Sequence, residues 1–266
     1  MENNREPKKL PVQAIFAEAF ALPQKHFSAL VKYGLPVFIS WLLVQMAVSP
    51  LFEEKVDNML ISGTLVFIFM LCLVVGIVSC HRIFLLDDRV AQSTAVVRWT
   101  MRETRYLISW ILIGLATLLV ALPAVFIMGT VLSSVGDNEF LKWLIQIVLL
   151  IPMMYIASRW AILLPAVAVD SEKRGMAHAW ELSKDNGWRL TLLICLPAII
   201  SDQTATLFEN SDALLVNVLA FVVWLVLGVI ELAILSLSYA WLRDNCSPEE
   251  DSQAEDSQPE EVQEST

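Results

Sequence analysis

Between Met59 and Cys80 the chain reads MLISGTLVFIFMLCLVVGIVSC, a stretch without a single charge. A bilayer core takes about 20 apolar residues to cross as a helix, so this stretch is long enough to span one. Five more stretches of the same kind surround it: Gly34–Phe52 before it, then Leu107–Leu132, Leu141–Val169, Arg189–Phe208 and Leu214–Leu242. A soluble domain scatters its apolar residues at amphipathic spacing. Here they run together, in a chain of 266 residues that is 56% hydrophobic with a mean hydropathy of +0.61. The expected fold is all-α: a polytopic six-helix transmembrane bundle. The fifth stretch is the least regular, because Ser201-Asp202-Gln203-Thr204 follows its apolar run Leu190–Ile200. A re-entrant segment lined by protein is the alternative to a crossing there.

Lys and Arg concentrate in cytoplasmic loops, and this bias orients a bundle. Sixteen of the eighteen fall in alternate segments: Arg5, Lys8, Lys9, Lys25 and Lys32; Arg82, Arg89, Arg98, Arg102 and Arg105; Arg159, Lys173, Arg174, Lys184 and Arg189; then Arg243. The opposite segments hold only Lys55 and Lys142. Both termini are therefore expected in the cytoplasm, with short outer hairpins at Glu53–Asn58, Ser133–Phe140 and Glu209–Ala213. The first long apolar run begins only at Gly34, so it is expected to stay in place as a span.

Three regions follow: a cytoplasmic N-terminal amphipathic helix at 1–33, the six-span domain at 34–243 and an acidic cytoplasmic tail at 244–266. Of the net charge of −10, −9 belongs to that tail, which carries nine acids and no base. With no apolar residues to bury, it reads as disordered, either solvated or docked on a basic surface. In the first region Val12, Ile15, Phe16, Ala19, Phe20, Phe27, Leu30 and Tyr33 share one helical face. Related segments, about Val90–Tyr106 and Glu172–Trp188, precede the third and fifth stretches. All three are expected along the cytoplasmic surface as interfacial helices, apolar faces down and basic residues near anionic lipid headgroups. Ala19-Phe20 with His26-Phe27 parallels Ala179-Trp180 with Gly187-Trp188, which suggests one unit used repeatedly.

A charge inside hydrocarbon is costly and needs a partner or a purpose. Glu231 is the clearest case, in the apolar run Ala220–Leu237. Three readings stay open: a protonated carboxyl bonded to a neighbouring helix, a pair with Arg159 or His81, or a carrier of protons or ions. Arg159 and Arg82 close the fourth and second stretches and read as anchors. Gln45, Gln146 and Asn217 read as interhelical hydrogen-bonding groups.

Catalytic signatures are missing: no nucleophile elbow, phosphate-binding loop, HExxH or dinucleotide fingerprint occurs. The segments outside the spans are too short for a separate catalytic domain. Cysteines Cys72, Cys80, Cys195 and Cys246 suggest no disulfide framework, and Cys80-His81 lacks the further ligands of a metal site. The expectation is a non-enzyme without cofactor or metal, whose candidate partners are the bilayer and a membrane protein, with no nucleic acid.

The run Arg159-Trp-Ala-Ile-Leu-Leu-Pro165-Ala-Val-Ala-Val-Asp170, then Gly175-Met-Ala-His-Ala-Trp180-Glu-Leu-Ser183, then Gly187-Trp188-Arg189 resembles the YciC-like bacterial inner-membrane proteins. It is also similar to the membrane domain attached to some glycerophosphodiester phosphodiesterases. The shared pattern is an Arg closing a span, a Pro, an acidic residue before a small cytoplasmic helix, a Ser near that helix's end and an aromatic before the next span. The resemblance implies a bacterial inner-membrane module without the phosphodiesterase's separate barrel, and it carries over no catalytic residue. The expected role is an accessory or scaffolding module in envelope or lipid homeostasis. The alternative is a small transporter for an amphipathic or lipid-like substrate.

Overall fold

The computed structural model describes residues 8–48, 59–86, 98–136, 138–208 and 213–246, and every regular element in them is helical. In chain order these are α1 (Val12–Lys25), α2 (Phe27–Val48), α3 (Met59–Leu85), α4 (Met101–Ser134), α5 (Glu139–Ala161), α6 (Leu163–Ala168), α7 (Met176–Leu182), a 3₁₀ turn (Lys184–Asn186), α8 (Gly187–Thr206) and α9 (Leu214–Cys246). Among the described residues five segments are long and apolar enough to cross a membrane: Phe27–Ala47, Leu60–Leu85, Met101–Val131, Leu150–Ala168 and Leu215–Cys246.

The fifth expected span is α8. It is helical over its 20 residues but falls outside those five, because Asp202, Gln203 and Thr204 dilute its apolar run. The fourth stretch is broken and not one rod. Pro165 has no N–H to offer the carbonyl of Ala161 four residues earlier, and α5 stops at Ala161. The N-terminal amphipathic segment also divides: α1 ends at Lys25, two residues past Pro23, and Phe27 already starts the first spanning helix. The first outer hairpin, residues 90–97 of the second surface segment, most of the third hairpin and residues 247–266 lie outside the described residues.

Local chemistry sets the helix starts. At α4 the Thr100 hydroxyl accepts from Arg102 N (3.3 Å) while the Glu103 carboxylate accepts from Thr100 N (2.7 Å), a reciprocal cap. At α5 the Asn138 side chain accepts from Leu141 N at 3.1 Å. Gly175, with φ 155° and ψ 157°, takes a conformation open to glycine alone just before α7.

Packing is concentrated at one end. The core gathers Val78 of α3, Tyr106 of α4, all of α6, Ala179 and Leu182 of α7, Leu190 of α8 and Leu242 of α9. These positions adjoin Arg82, Arg102, Arg159, Arg189 and Arg243, so the buried centre is the Arg-rich end. Ile15 and Ala19 of α1 pack into it as well. The surface segment at Glu172–Trp188 is likewise partly internal, with Ala179, Leu182, Ser183 and Asn186 all buried. Away from this end the helices present large apolar side chains outward, Phe126 at 76% exposure among them. That much exposed apolar surface fits lipid and not water.

Candidate functional site

His81, fully buried near the end of α3, joins three helices. The Ser236 hydroxyl of α9 donates to Leu232 O (2.7 Å), so its oxygen accepts from His81 Nδ1 (2.8 Å). The other ring nitrogen, Nε2, then accepts from the Tyr106 hydroxyl of α4 at 3.3 Å. This tautomer satisfies every member of the chain. Tyr106→Phe leaves Nε2 buried without a donor and is expected to lower stability by about 1–3 kcal/mol. Thermal unfolding in detergent micelles reads the loss.

Arg159, 4% exposed at the end of α5, has no carboxylate within ion-pair distance among the described residues. Its guanidinium is compensated by dipoles and π faces instead. Nε donates to Ser183 Oγ (2.9 Å), one terminal nitrogen to the Trp180 carbonyl and the other to Tyr155 Oη (3.4 Å). The plane lies 3.6 Å from the Trp180 ring centroid and 5.6 Å from that of Tyr155. Arg159 thus fastens α7 to α5. Ser158 and Thr191 add a 2.9 Å bond between α5 and α8.

Two further clusters shape the Arg-rich end. Asn186, 1% exposed, accepts from Leu10 N (2.7 Å) and donates to Lys8 O (3.1 Å), while Arg189 donates to Leu10 O (2.7 Å). The chain entering α1 is thereby pinned to the start of α8. Asp170, at φ 55°, accepts from Arg102 Nε at 2.7 Å and has Arg105 and Arg174 at 3.9 and 3.7 Å.

Glu231 sits apart from all of these. Its carboxylate accepts a hydrogen bond from the Ser201 hydroxyl of α8, its one hydrogen-bond partner among the described residues. The structure therefore places Glu231, Arg159 and His81 in three separate networks. Glu231 also lines a cavity of about 210 Å³ between α2, α3 and α9, walled by Gly34, Gly76, Cys80 and Gly228. Ser201 lines a second cavity of about 300 Å³ with Gln45 of α2, Thr204 of α8 and Asn217 of α9. Trp224 borders both, beside an aromatic wall in which Trp41 stacks on Phe221 at 4.1 Å. The Ser201–Glu231 bond joins a residue lining one cavity to a residue lining the other.

The sequence pointed to Glu231, Arg159 and His81 but not to their partners. Tyr155 was the readable one, a helical turn before Arg159. Ser183 belonged to the quoted motif without an assigned contact. Ser201, Ser236 and Tyr106 lie 30, 155 and 25 residues from the groups they serve, beyond any local pattern. Among the described residues no group of three or more His, Cys, Asp and Glu has the arrangement to hold a metal ion. Comparison with protein-family models, with curated proteins and with solved structures finds no match to this chain.

Proposed function

We propose that this membrane protein is a non-catalytic accessory module that scaffolds a partner in envelope or lipid homeostasis, as its resemblance to the YciC-like proteins implies. The observation behind this reading is the platform at the Arg-rich end. Asn186, Arg159 and Asp170 lock the N-terminal segment, α7 and the start of α4 into one layer across the helix ends. Arg105 and Arg174 remain partly exposed on it, placed to face anionic headgroups and an acidic partner surface.

The setting is a bacterial inner membrane, crossed six times, with both termini cytoplasmic. Support for an even number of crossings comes from Lys8 Nζ, which donates to Asn245 Oδ1 at 3.4 Å. Five crossings would part these ends, and α8 supplies the sixth. Arginines gathered at the same end give it the cytoplasmic side.

Extraction in native-lipid discs followed by mass spectrometry tests the reading. A second polypeptide in stoichiometric amount is the expected result, and recovery of the chain without any other protein overturns it. A second reading, transport of an amphipathic or lipid-like substrate, is favoured by the Ser201–Glu231 bond between two cavities. A Glu231→Gln protein with wild-type lipid flux in reconstituted vesicles ends that reading.

A further inference from the structure

One seam in the bundle is open. α2 packs on α3 and α1, while α9 packs on α1, α3 and α8. Towards the far end the aromatic stack of Trp41 and Phe221 bridges α2 and α9. Nearer the Arg-rich end no aromatic stack joins the two helices among the described residues. An apolar groove of about 600 Å³ runs there between α2 and α9, reaching from Phe20 of α1 to Phe38 of α2. Leu30, Gly34, Leu225 and Val229 line both this groove and the inner cavity that holds Glu231. The outer groove and the inner cavity are therefore two sides of one gap. A Cβ at Gly34 would meet nothing within 4 Å.

We propose that the α2–α9 seam is a lateral portal for a membrane lipid whose headgroup carries a primary ammonium. It rests on the lipid-handling part of the reading above, which both its versions share. The walls select the class of occupant. An alkyl chain fits a groove lined by Phe, Leu, Val and Gly, where a polar solute would lose its hydration without replacement. At the inner end stands a carboxyl group with a single hydroxyl partner, and beyond it lie Gln45, Thr204 and Asn217. An ammonium offers three donors and the charge that a carboxylate in hydrocarbon lacks. A phosphoglycerol headgroup would bring its phosphate charge towards Glu231 with no cation to offset it. Charge complementarity thus favours an ethanolamine-type phospholipid over a glycerol-type one.

The full chain is reconstituted in discs of equal phosphatidylethanolamine and phosphatidylglycerol, and retained lipid is counted by native mass spectrometry. Wild type is expected to keep one phosphatidylethanolamine in at least tenfold excess over phosphatidylglycerol. Glu231→Gln is expected to abolish that preference. Gly34→Leu, which fills the seam, is expected to lower retention of either lipid at least tenfold. Gly34→Ala leaves the gap open and is expected to keep the wild-type count, which separates blocking from misfolding. Equal retention of both lipids by wild type overturns the headgroup assignment, and wild-type retention by Gly34→Leu overturns the portal. A wild-type protein that shows no lipid preference yet still recovers the second polypeptide breaks this inference alone, and one that shows the preference without the polypeptide breaks the accessory reading alone.

Discussion

Arg159→Ala is expected to lower stability by on the order of 3–5 kcal/mol, the size typical of breaking a buried charged network. The side chain bridges Ser183, the Trp180 carbonyl and Tyr155, and it stacks 3.6 Å from the Trp180 ring centroid. Truncation removes all of these at once and opens a void in the packed end. Arg159→Lys is expected to recover little, because one ammonium cannot reach Ser183 and the Trp180 carbonyl together or stack on the indole. α7 should detach first, since Arg159 is what ties it to α5. Thermal unfolding in detergent, followed by proteolysis around residues 171–186, measures both effects. An alanine variant that unfolds with wild type and resists cleavage would show that packing alone holds α7.

Gly187→Ala carries the second large effect. An alanine Cβ there would lie 2.5 Å from Tyr155 Oη, 2.7 Å from Cε2 and 2.8 Å from Cζ. Contacts this close force a shift, and the phenol has little freedom to make one. Trp188 lies 4.7 Å from it, Trp180 stands edge-on at 6.5 Å, and Arg159 binds its oxygen. Overpacking of this kind costs about 1–3 kcal/mol. Because Gly187 and Arg159 share Tyr155, the two substitutions should be non-additive. Tyr155→Leu is expected to rescue Gly187→Ala in part. A double-mutant cycle on the unfolding midpoint decides it, and strict additivity would show that the ring relaxes freely.

Which parts of this molecule a sequence can announce follows from the range of the forces involved. Met59–Leu85 and Leu214–Cys246 are legible as spans because most of their residues are apolar among apolar neighbours, a property visible in any short window. The break at Ala161 was written in Pro165, yet hydropathy averages across it and returns a single stretch. A periodicity running from Val12 to Tyr33 passed over the helix end at Lys25 for the same reason. In Ser201-Asp202-Gln203-Thr204 the polar residues read as a flaw in a span, whereas Ser201 supplies the hydrogen bond that Glu231 needs. Arg159 and His81 looked available to Glu231 because all three are polar near one membrane face. Both have nearer partners, Ser183 and Ser236, in elements whose placement depends on the whole fold.

The uneven packing described above has a consequence for what drives folding in each half. α4 and α9 contain 34 and 33 residues. At 1.5 Å per residue each is roughly 50 Å long, well beyond a hydrocarbon core of about 30 Å. An upright rod of that length leaves some 20 Å clear of the acyl chains, a tilted one less, and the cluster around α6 is where these rods converge. Apolar side chains there are squeezed together by water, as in any soluble domain. Deeper in the bilayer that drive vanishes, since lipid tails are as apolar as Leu, and only close fit and hydrogen bonds hold helices side by side. The molecule thus has two solvents and two kinds of cohesion. Its Arg-rich layer answers to denaturant and temperature, and its spanning half answers to the thickness and composition of the membrane around it.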